Sequence, residues 1–255
     1  MEVVITRDAE DGAPFARALV ELQPAVHPVY MPVITVTAAY AEEVDRLQAA
    51  AGEAYDHVFV ASRHAVAPLV AALAAAGRSP AATAPVTAVG PATAAALTAA
   101  GFGAQSRGDT GEAAAAALAT LGINGKRILA PRAAGGRDEP VALLRAAGAE
   151  VRDAVAYRTS VVPIGAAEVA AGRAALLVGP AACLVFAPSQ VAGLDAVLAR
   201  DGGLGVLART RVIALGPTTA AALVARGVRL AAVADTPTPQ GMANALASVY
   251  PEGPT

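Results

Sequence analysis

Few side chains in this sequence can do chemistry, and that scarcity narrows the reactions open to it. The chain holds three histidines and one cysteine in 255 residues. His27 and His57 sit in or beside apolar, strand-like runs and read as structural. His64 lies in the turn Ser62-Arg-His64, where an imidazole can meet a carboxylate. Cys183 stands between Ala182 and Leu184 and reads as a buried, inert thiol; a lone cysteine forms no internal disulfide and suits a reducing compartment. No Cys/His spacing fits zinc, and neither a G-x-S-x-G elbow nor a Gly-Lys-Ser/Thr loop occurs. What remains is hydroxyls, arginines and free backbone N–H groups. Gly90-Pro-Ala-Thr93 and Gly216-Pro-Thr-Thr219 each follow a strand-like run and open an alanine-rich one. Glycine permits a sharp turn, and proline in a first helical turn sacrifices no hydrogen bond. Thr93 and Thr219 are then expected to present hydroxyls beside a helix N-terminus, a ready site for a carboxylate or phosphate, although a self-satisfied helix cap uses the same residues.

These two turns belong to a longer repeat. Val86-Thr-Ala-Val-Gly-Pro-Ala-Thr-Ala-Ala-Ala-Leu97 returns as Val212-Ile-Ala-Leu-Gly-Pro-Thr-Thr-Ala-Ala-Ala-Leu223, and each copy then meets a glycine, Gly101 or Gly227. Two copies imply two related lobes rather than a solenoid, which needs three or more units.

The elements that must carry these turns alternate. Strands are expected at 2–6, 25–30, 57–61, 86–89, 127–130, 150–155, 183–187, 211–215 and 229–233, with helices between them such as 12–22, 41–50, 65–76, 91–100 and 217–226. Wholly apolar strands separated by helices indicate a parallel sheet covered on both faces, so the class is α/β. In open sheets of this kind ligands bind beyond the strand C-termini, where both turns lie. The hydrophobic fraction is 55% but aromatics are only 4%, so Val, Leu, Ile and Ala build the core. The most apolar run, 174–187, is broken by Gly179-Pro180 and is shorter than the roughly 20 residues of a membrane span. The opening residues lack the form of a signal peptide. Net charge is −2, Arg far outnumbers Lys, and no basic stripe marks a nucleic-acid partner.

In its order of motifs the chain resembles the uroporphyrinogen-III synthase family nearly end to end. The likeness rests on Thr6-Arg7, on Val60-Ala-Ser62-Arg-His64-Ala-Val66 and on the Gly-Pro-Ala-Thr turn at 90–93. It continues through Arg127-Ile-Leu-Ala-Pro-Arg132 with Gly135-Gly-Arg137, then Gly148-Ala-Glu-Val151 and Val155-Ala-Tyr157-Arg-Thr159. Phe186-Ala-Pro-Ser189, Gly216-Pro-Thr-Thr219 and Thr236-Pro-Thr-Pro-Gln240 complete it. The sequence departs from the family's pattern at Ala61, where threonine is common, and at His64, where asparagine is usual. It departs again at Phe186–Ser189, one residue short of the usual form.

The resemblance implies two flavodoxin-like lobes joined by a two-strand hinge with a cleft between them. One lobe would be 1–33 with 160–255, the other 34–159. It implies a cytoplasmic lyase that closes hydroxymethylbilane, a linear tetrapyrrole with eight carboxylates, into uroporphyrinogen III, with the last ring inverted and water lost, in haem biosynthesis. No cofactor or metal is implied, nor a nucleic-acid or membrane partner; hydroxymethylbilane synthase would be the upstream donor. Tyr157 matches the family's tyrosine near the lobe junction, a phenol of pKa about 10 that can protonate the leaving hydroxyl. Ser62, His64, Thr93, Ser189, Thr218 and Thr219 would bind substrate carboxylates, with Arg7, Arg137 and Arg211 supplying charge. The lost hydroxyls motivate an alternative, a non-catalytic two-lobe sensor of a tetrapyrrole or other anion.

Overall fold

The computed structural model describes residues 1–178 and 182–250, so the Gly179-Pro180 break lies outside the described residues. The chain begins β1 (Glu2–Ile5), α1 (Ala9–Leu22), β2 (His27–Tyr30), β3 (Ile34–Ala38) and α2 (Ala41–Gly52). It continues β4 (His57–Val60), α3 (Val66–Ala75), β5 (Val86–Ala88), α4 (Gly90–Ala99), β6 (Ala104–Ser106) and α5 (Gly111–Ala119). Next come β7 (Arg127–Ala133), α6 (Glu139–Ala146), β8 (Glu150–Val161), α7 (Ala167–Val178) and β9 (Ala182–Val185). It ends α8 (Pro188–Val197), β10 (Arg211–Ala214), α9 (Pro217–Val224), β11 (Leu230–Val233) and α10 (Pro239–Val249). One of these strands lies outside the sequence expectation, the short polar β6 at a sheet edge, while β3 stands where the resemblance implies an extended crossing at 32–36 beside 155–159. β8 also runs six residues past its expected end, as one long strand.

The chain forms two compact units, Met1–Thr35 with Ser160–Thr255, and Val36–Thr159. It passes from one to the other in β3 and back in β8, neighbouring strands of one sheet. Unit 1 holds the five-stranded sheet β11-β10-β9-β1-β2, all parallel. Taken in chain order this is 2-1-3-4-5, the flavodoxin-like order, with its switch point between β1 and β9. Unit 2 holds β6-β5-β4-β7-β8, parallel throughout, with β3 beyond β8; its switch point falls between β4 and β7.

Alternation within each strand explains the uninterrupted apolar runs. In unit 1, Val4, Cys183, Val185, Val212 and Ala214 meet α7, α8 and α9 on one face. Val3, Ile5, Leu184 and Ile213 meet α1 and α10 on the other. Unit 2 repeats the plan, with Val58, Val60, Val86 and Leu129 against α2, α3 and α4, and Phe59 and Ile128 against α5 and α6. Both faces are dry, so neither strand face can be polar.

The two sheets match strand for strand when β9, β10, β11, β1 and β2 are laid on β4, β5, β6, β7 and β8. One unit is thus a circular permutation of the other, and the sequence repeat falls on the matched pair β5–α4 and β10–α9. Register makes the match residue-specific. Val60 pairs with Ala88 as Val185 pairs with Ala214. Continued past the strand ends, the β4–β7 register sets Arg132 beside Ala61, and the β1–β9 register sets Arg7 beside Phe186. Arg7 and Arg132 are therefore equivalent residues, as are Phe186 and Ala61, Ala187 and Ser62, and Gln190 and Ala65.

The twin Gly-Pro turns differ in one respect from expectation. Gly90 has φ +74°, the left-handed region that glycine tolerates, and its N–H donates to the Gly108 carbonyl at 2.8 Å. Gly216 has φ −171° and ψ 176°, extended backbone open to any residue, so glycine's freedom is used in only one copy.

Candidate functional site

The switch point of unit 2 is open. A cavity of about 240 Å³ lies at the exits of β4 and β7, lined in part by Ala61, Ser62, Pro131, Arg132, Arg137 and Tyr157. A neighbouring hollow of about 430 Å³ shares Arg132, Ala133 and Gly136 with it. That hollow carries both charge signs, Arg46, Arg132 and Arg152 against Glu43, Asp138 and Asp153, so it offers no net cationic well.

Ser62 is placed by the end of β4 and by its own hydrogen bond: its Oγ accepts from the His64 N–H at 3.3 Å. That bond leaves the hydroxyl proton to be donated onward, and the Tyr157 phenol is its neighbour. Tyr157 sits on β8, half-buried. Burial pushes its pKa above the ordinary tyrosine range, while the Ser62 hydroxyl acts in the opposite sense by stabilising the phenolate. The His64 ring lies 5.7 Å from the Tyr157 ring, tilted at 55°. The structure thus brings together Ser62, His64 and Tyr157, three residues expected from the sequence, and adds Arg137 at the cavity wall.

The arginines are held rather than loose. Arg132 has a side chain only 15% exposed; it pairs with Asp138 at 2.7 Å and Asp153 at 3.4 Å, and donates to the Gly136 carbonyl. Arg137 is exposed and pairs with Glu112 and, at 3.5 Å, with Glu139. Arg132 was not among the expected site residues, although it stands near the end of β7 much as Arg7 stands just past the end of β1. Comparing the two strand exits, Ile5-Thr6-Arg7 and Ala130-Pro131-Arg132, would have found it.

The switch point of unit 1 carries an aromatic stack. The Arg7 guanidinium lies 4.4 Å from the Phe186 ring centre and 5.1 Å from that of Phe15, and the two rings meet edge to face at 4.7 Å. Ser189 is exposed at the second residue of α8, and Thr218 is exposed at the second residue of α9. Arg7, Ser189 and Thr218 therefore share the C-terminal end of adjacent strands β1, β9 and β10.

Three expected residues are not at these rims. Thr93 and Thr219 are buried, 6% and 2% exposed, so they do not present hydroxyls outward. Each lies four residues before a buried leucine, Leu97 or Leu223, on the helix face that packs on the sheet. Arg211 opens β10 and stacks at 5.6 Å on Tyr250, so it sits at the strand's N-terminal end. Four residues at about 3.3 Å each separate it from the turn at Gly216. Of the histidines outside the site, His27 is exposed and His57 is half-buried with Nε2 2.8 Å from Thr87 Oγ1. Cys183 is fully buried and its thiol is pushed up to about 12. Thr238 is used as a cap, its Oγ1 accepting from the Gly241 N–H at 3.1 Å.

Among the described residues no group of three or more His, Cys, Asp or Glu stands close enough to hold a metal ion, and no helix is long and apolar enough to cross a membrane. The site's resources are hydrogen-bond donors, a neutral phenol and fixed positive charge.

The family model described as uroporphyrinogen-III synthase HemD matches residues 14–244. A mutant uroporphyrinogen III synthase from Thermus thermophilus superposes with a TM-score of 0.64 at 23% identity, over 99% of this chain and 100% of that one. Uroporphyrinogen-III synthetase from Helicobacter pylori gives 0.65 at 17% identity, over 98% and 100%. At these identities the structures speak for the fold. No curated protein matches the chain.

Proposed function

Since the chain belongs to the uroporphyrinogen-III synthase family, its activity is that of the synthase in haem biosynthesis, and we propose that unit 2's switch point is where its chemistry starts. The observation that carries this reading is the Tyr157–Ser62 pair at the end of a cavity walled by Arg132 and Arg137. The proposed substrate is hydroxymethylbilane, supplied by hydroxymethylbilane synthase in the cytoplasm, and the reaction class is that of a cyclising lyase.

The substrate's own electronics make the new carbon–carbon bond. The terminal C–O bond breaks as the hydroxyl takes a proton from Tyr157 and leaves as water, giving an electrophilic azafulvenium cation beside the tyrosinate. The last ring is attacked at its substituted carbon; the spiro intermediate fragments and recloses with that ring inverted. The proton released on rearomatisation returns to the tyrosinate. A phenol whose pKa burial has raised stays protonated at neutral pH, as a donor must. The tyrosinate formed is then stabilised by the Ser62 hydroxyl. Holding the curled chain in place supplies much of the remaining acceleration.

A cavity of about 240 Å³ suits one substituted pyrrole, since pockets that bury a whole drug-sized ligand span about 300–1,000 Å³. It is the reacting terminal ring that such a space would take. In unit 1, Arg7, Ser189 and Thr218 are read as partners for the substrate's carboxylates, which ask for charge-assisted donors.

The test is turnover of freshly generated hydroxymethylbilane with isomer-resolved product analysis. The wild type is expected to yield mainly the type III isomer. Tyr157→Phe is expected to keep the fold and lower kcat by about 100-fold, within the range for loss of a general acid. Predominantly type I product from the wild type, as in spontaneous closure, would overturn the assignment.

A further inference from the structure

The permutation that relates the two units sets Gln190 against Ala65, and the amide in unit 1 has work to do there. Gln190 is 4% exposed, on the first turn of α8. Its Oε1 accepts from the Phe186 N–H at 2.8 Å and lies 2.9 Å from Thr6 Oγ1; its Nε2 donates to the Thr6 carbonyl at 2.9 Å. Thr6, itself fully buried, also reaches the Leu184 carbonyl through Oγ1 at 2.8 Å. An amide buried this far from water survives in a fold only when its hydrogen bonds are made. Here they are made entirely to the exits of β1 and β9, one residue before Arg7 and at Phe186. The side chain therefore ties together the two strand ends that flank the switch point of unit 1.

The consequence falls on Arg7. Its guanidinium is stacked across Phe186 and Phe15, and the separation of those two strand ends decides whether that stack can form. We propose that Gln190 is a positioning residue for the synthase reaction: through Thr6 and Phe186 it holds Arg7 where the guanidinium can take a substrate carboxylate. The proposal rests on the reading of Arg7 as a carboxylate partner. Without the amide the two exits keep only the Thr6–Leu184 bonds and lose the tie to Phe186, and the arginine gains rotamers that do not bind.

Steady-state kinetics with hydroxymethylbilane on Gln190→Met, Arg7→Ala and the double variant separate the alternatives. Methionine keeps the volume and removes every side-chain hydrogen bond. Arg7→Ala is expected to raise KM by about tenfold, the usual cost of one charge-assisted contact. Gln190→Met should raise KM by about fivefold with kcat within about twofold of wild type, because binding and not proton transfer is disturbed. The double variant should show a KM no higher than Arg7→Ala alone, since Gln190 acts only through that arginine. Should Gln190→Met not fold, Thr6→Val is read in its place, with about a threefold rise in KM expected from loss of one bond of the network. Two results overturn the proposal: KM unchanged in these variants while only thermal stability falls, or effects of Gln190 and Arg7 that multiply. An unchanged KM in Arg7→Ala overturns it as well. The broader assignment fails separately, by a wild type that makes only the type I isomer.

Discussion

The two switch points are built on the same sheet order and do different things, and the difference comes down to a few residues. At the C-terminal end of one of the two strands flanking the switch point each unit carries an arginine, Arg132 on β7 in one and Arg7 after β1 in the other. Facing that arginine, unit 2 has Ala61 and unit 1 has Phe186. Beside the small residue lies a cavity of about 240 Å³, and at the equivalent place the large one takes part in an aromatic stack. One residue on, unit 2 has Ser62, which faces the Tyr157 phenol, while unit 1 has Ala187. Further along, unit 2 has Ala65 where unit 1 has the buried amide of Gln190. On the proposed reading, two units of one plan are thus shaped differently, one to admit a reacting group and the other to hold an arginine still. The general lesson is that sheet topology locates a site, and the side chains at the strand exits decide what the site can do.

The sharpest way to break this contrast is to transplant the large residue. Ala61→Phe puts into unit 2 the residue type that stands at the equivalent place in unit 1. If the cavity admits the reacting ring, the variant should fold and lose activity by about 100-fold or more, since a misplaced reacting group costs on that order. Type III turnover within about twofold of wild type would show that the reacting ring does not enter the cavity. Circular dichroism and a thermal melt check that the larger side chain has not simply unfolded the unit, a risk because overpacking commonly costs about 1–3 kcal/mol.

A smaller effect sharpens the role of the hydroxyl that only unit 2 possesses. Ser62→Ala removes the donor that pulls the Tyr157 pKa down, leaving burial unopposed. The phenol should then titrate at a higher pH than in the wild type. The alkaline limb of kcat against pH should move upward, while kcat on the plateau falls by about tenfold because the tyrosinate loses a stabilising hydrogen bond. An alkaline limb that stays in place, or moves down, would separate Ser62 from the phenol's ionisation.

Much of this architecture can be read in the sequence, and the reasons are physical. Apolar runs such as Val58-Phe-Val60 and Cys183-Leu-Val185 announce strands covered on both faces, because no residue in them could tolerate water. The Gly-Pro-x-Thr repeat announces two related units. Its threonines mislead, since a hydroxyl residue three or four places into a helix can face either solvent or sheet. Burial of Leu97 and Leu223 one turn later settles that Thr93 and Thr219 face the sheet. Arg211 misleads for a simpler reason: its position at a strand's start already put it at the wrong end. Gln190 was silent because its importance lies in contacts with Thr6, far away in the chain, and composition and spacing carry no trace of such a pair. Arg132 was legible only by aligning strand exits through a permutation, which a linear repeat search does not consider.

The smallest predicted effect concerns stability and again distinguishes the units. In unit 2, His57 is half-buried against Thr87, and its pKa is lowered, first by burial and then by the charge of Arg107. The unfolded chain holds His57 at an ordinary value of about 6.5, above the folded one. Between the two values the unfolded state binds more protons, so folding stability rises with pH there. The contribution is fully present above about pH 6.5 and is lost as pH falls through the folded value. Unit 1's internal titratable group, the Cys183 thiol, is pushed up to about 12 and is silent across this range. The carboxylates whose pKa values are lowered, Asp56 and Asp201 among them, act at more acidic pH and leave the window clear. Thermal melts at about pH 7.5 and about pH 5.5 should therefore show a modest loss in the wild type, on the order of a few degrees. Gln in place of His57 keeps a hydrogen-bonding partner for Thr87 but cannot titrate, so His57→Gln should narrow the gap between the two melts. Equal losses in both proteins would assign the pH dependence elsewhere and remove His57 from it.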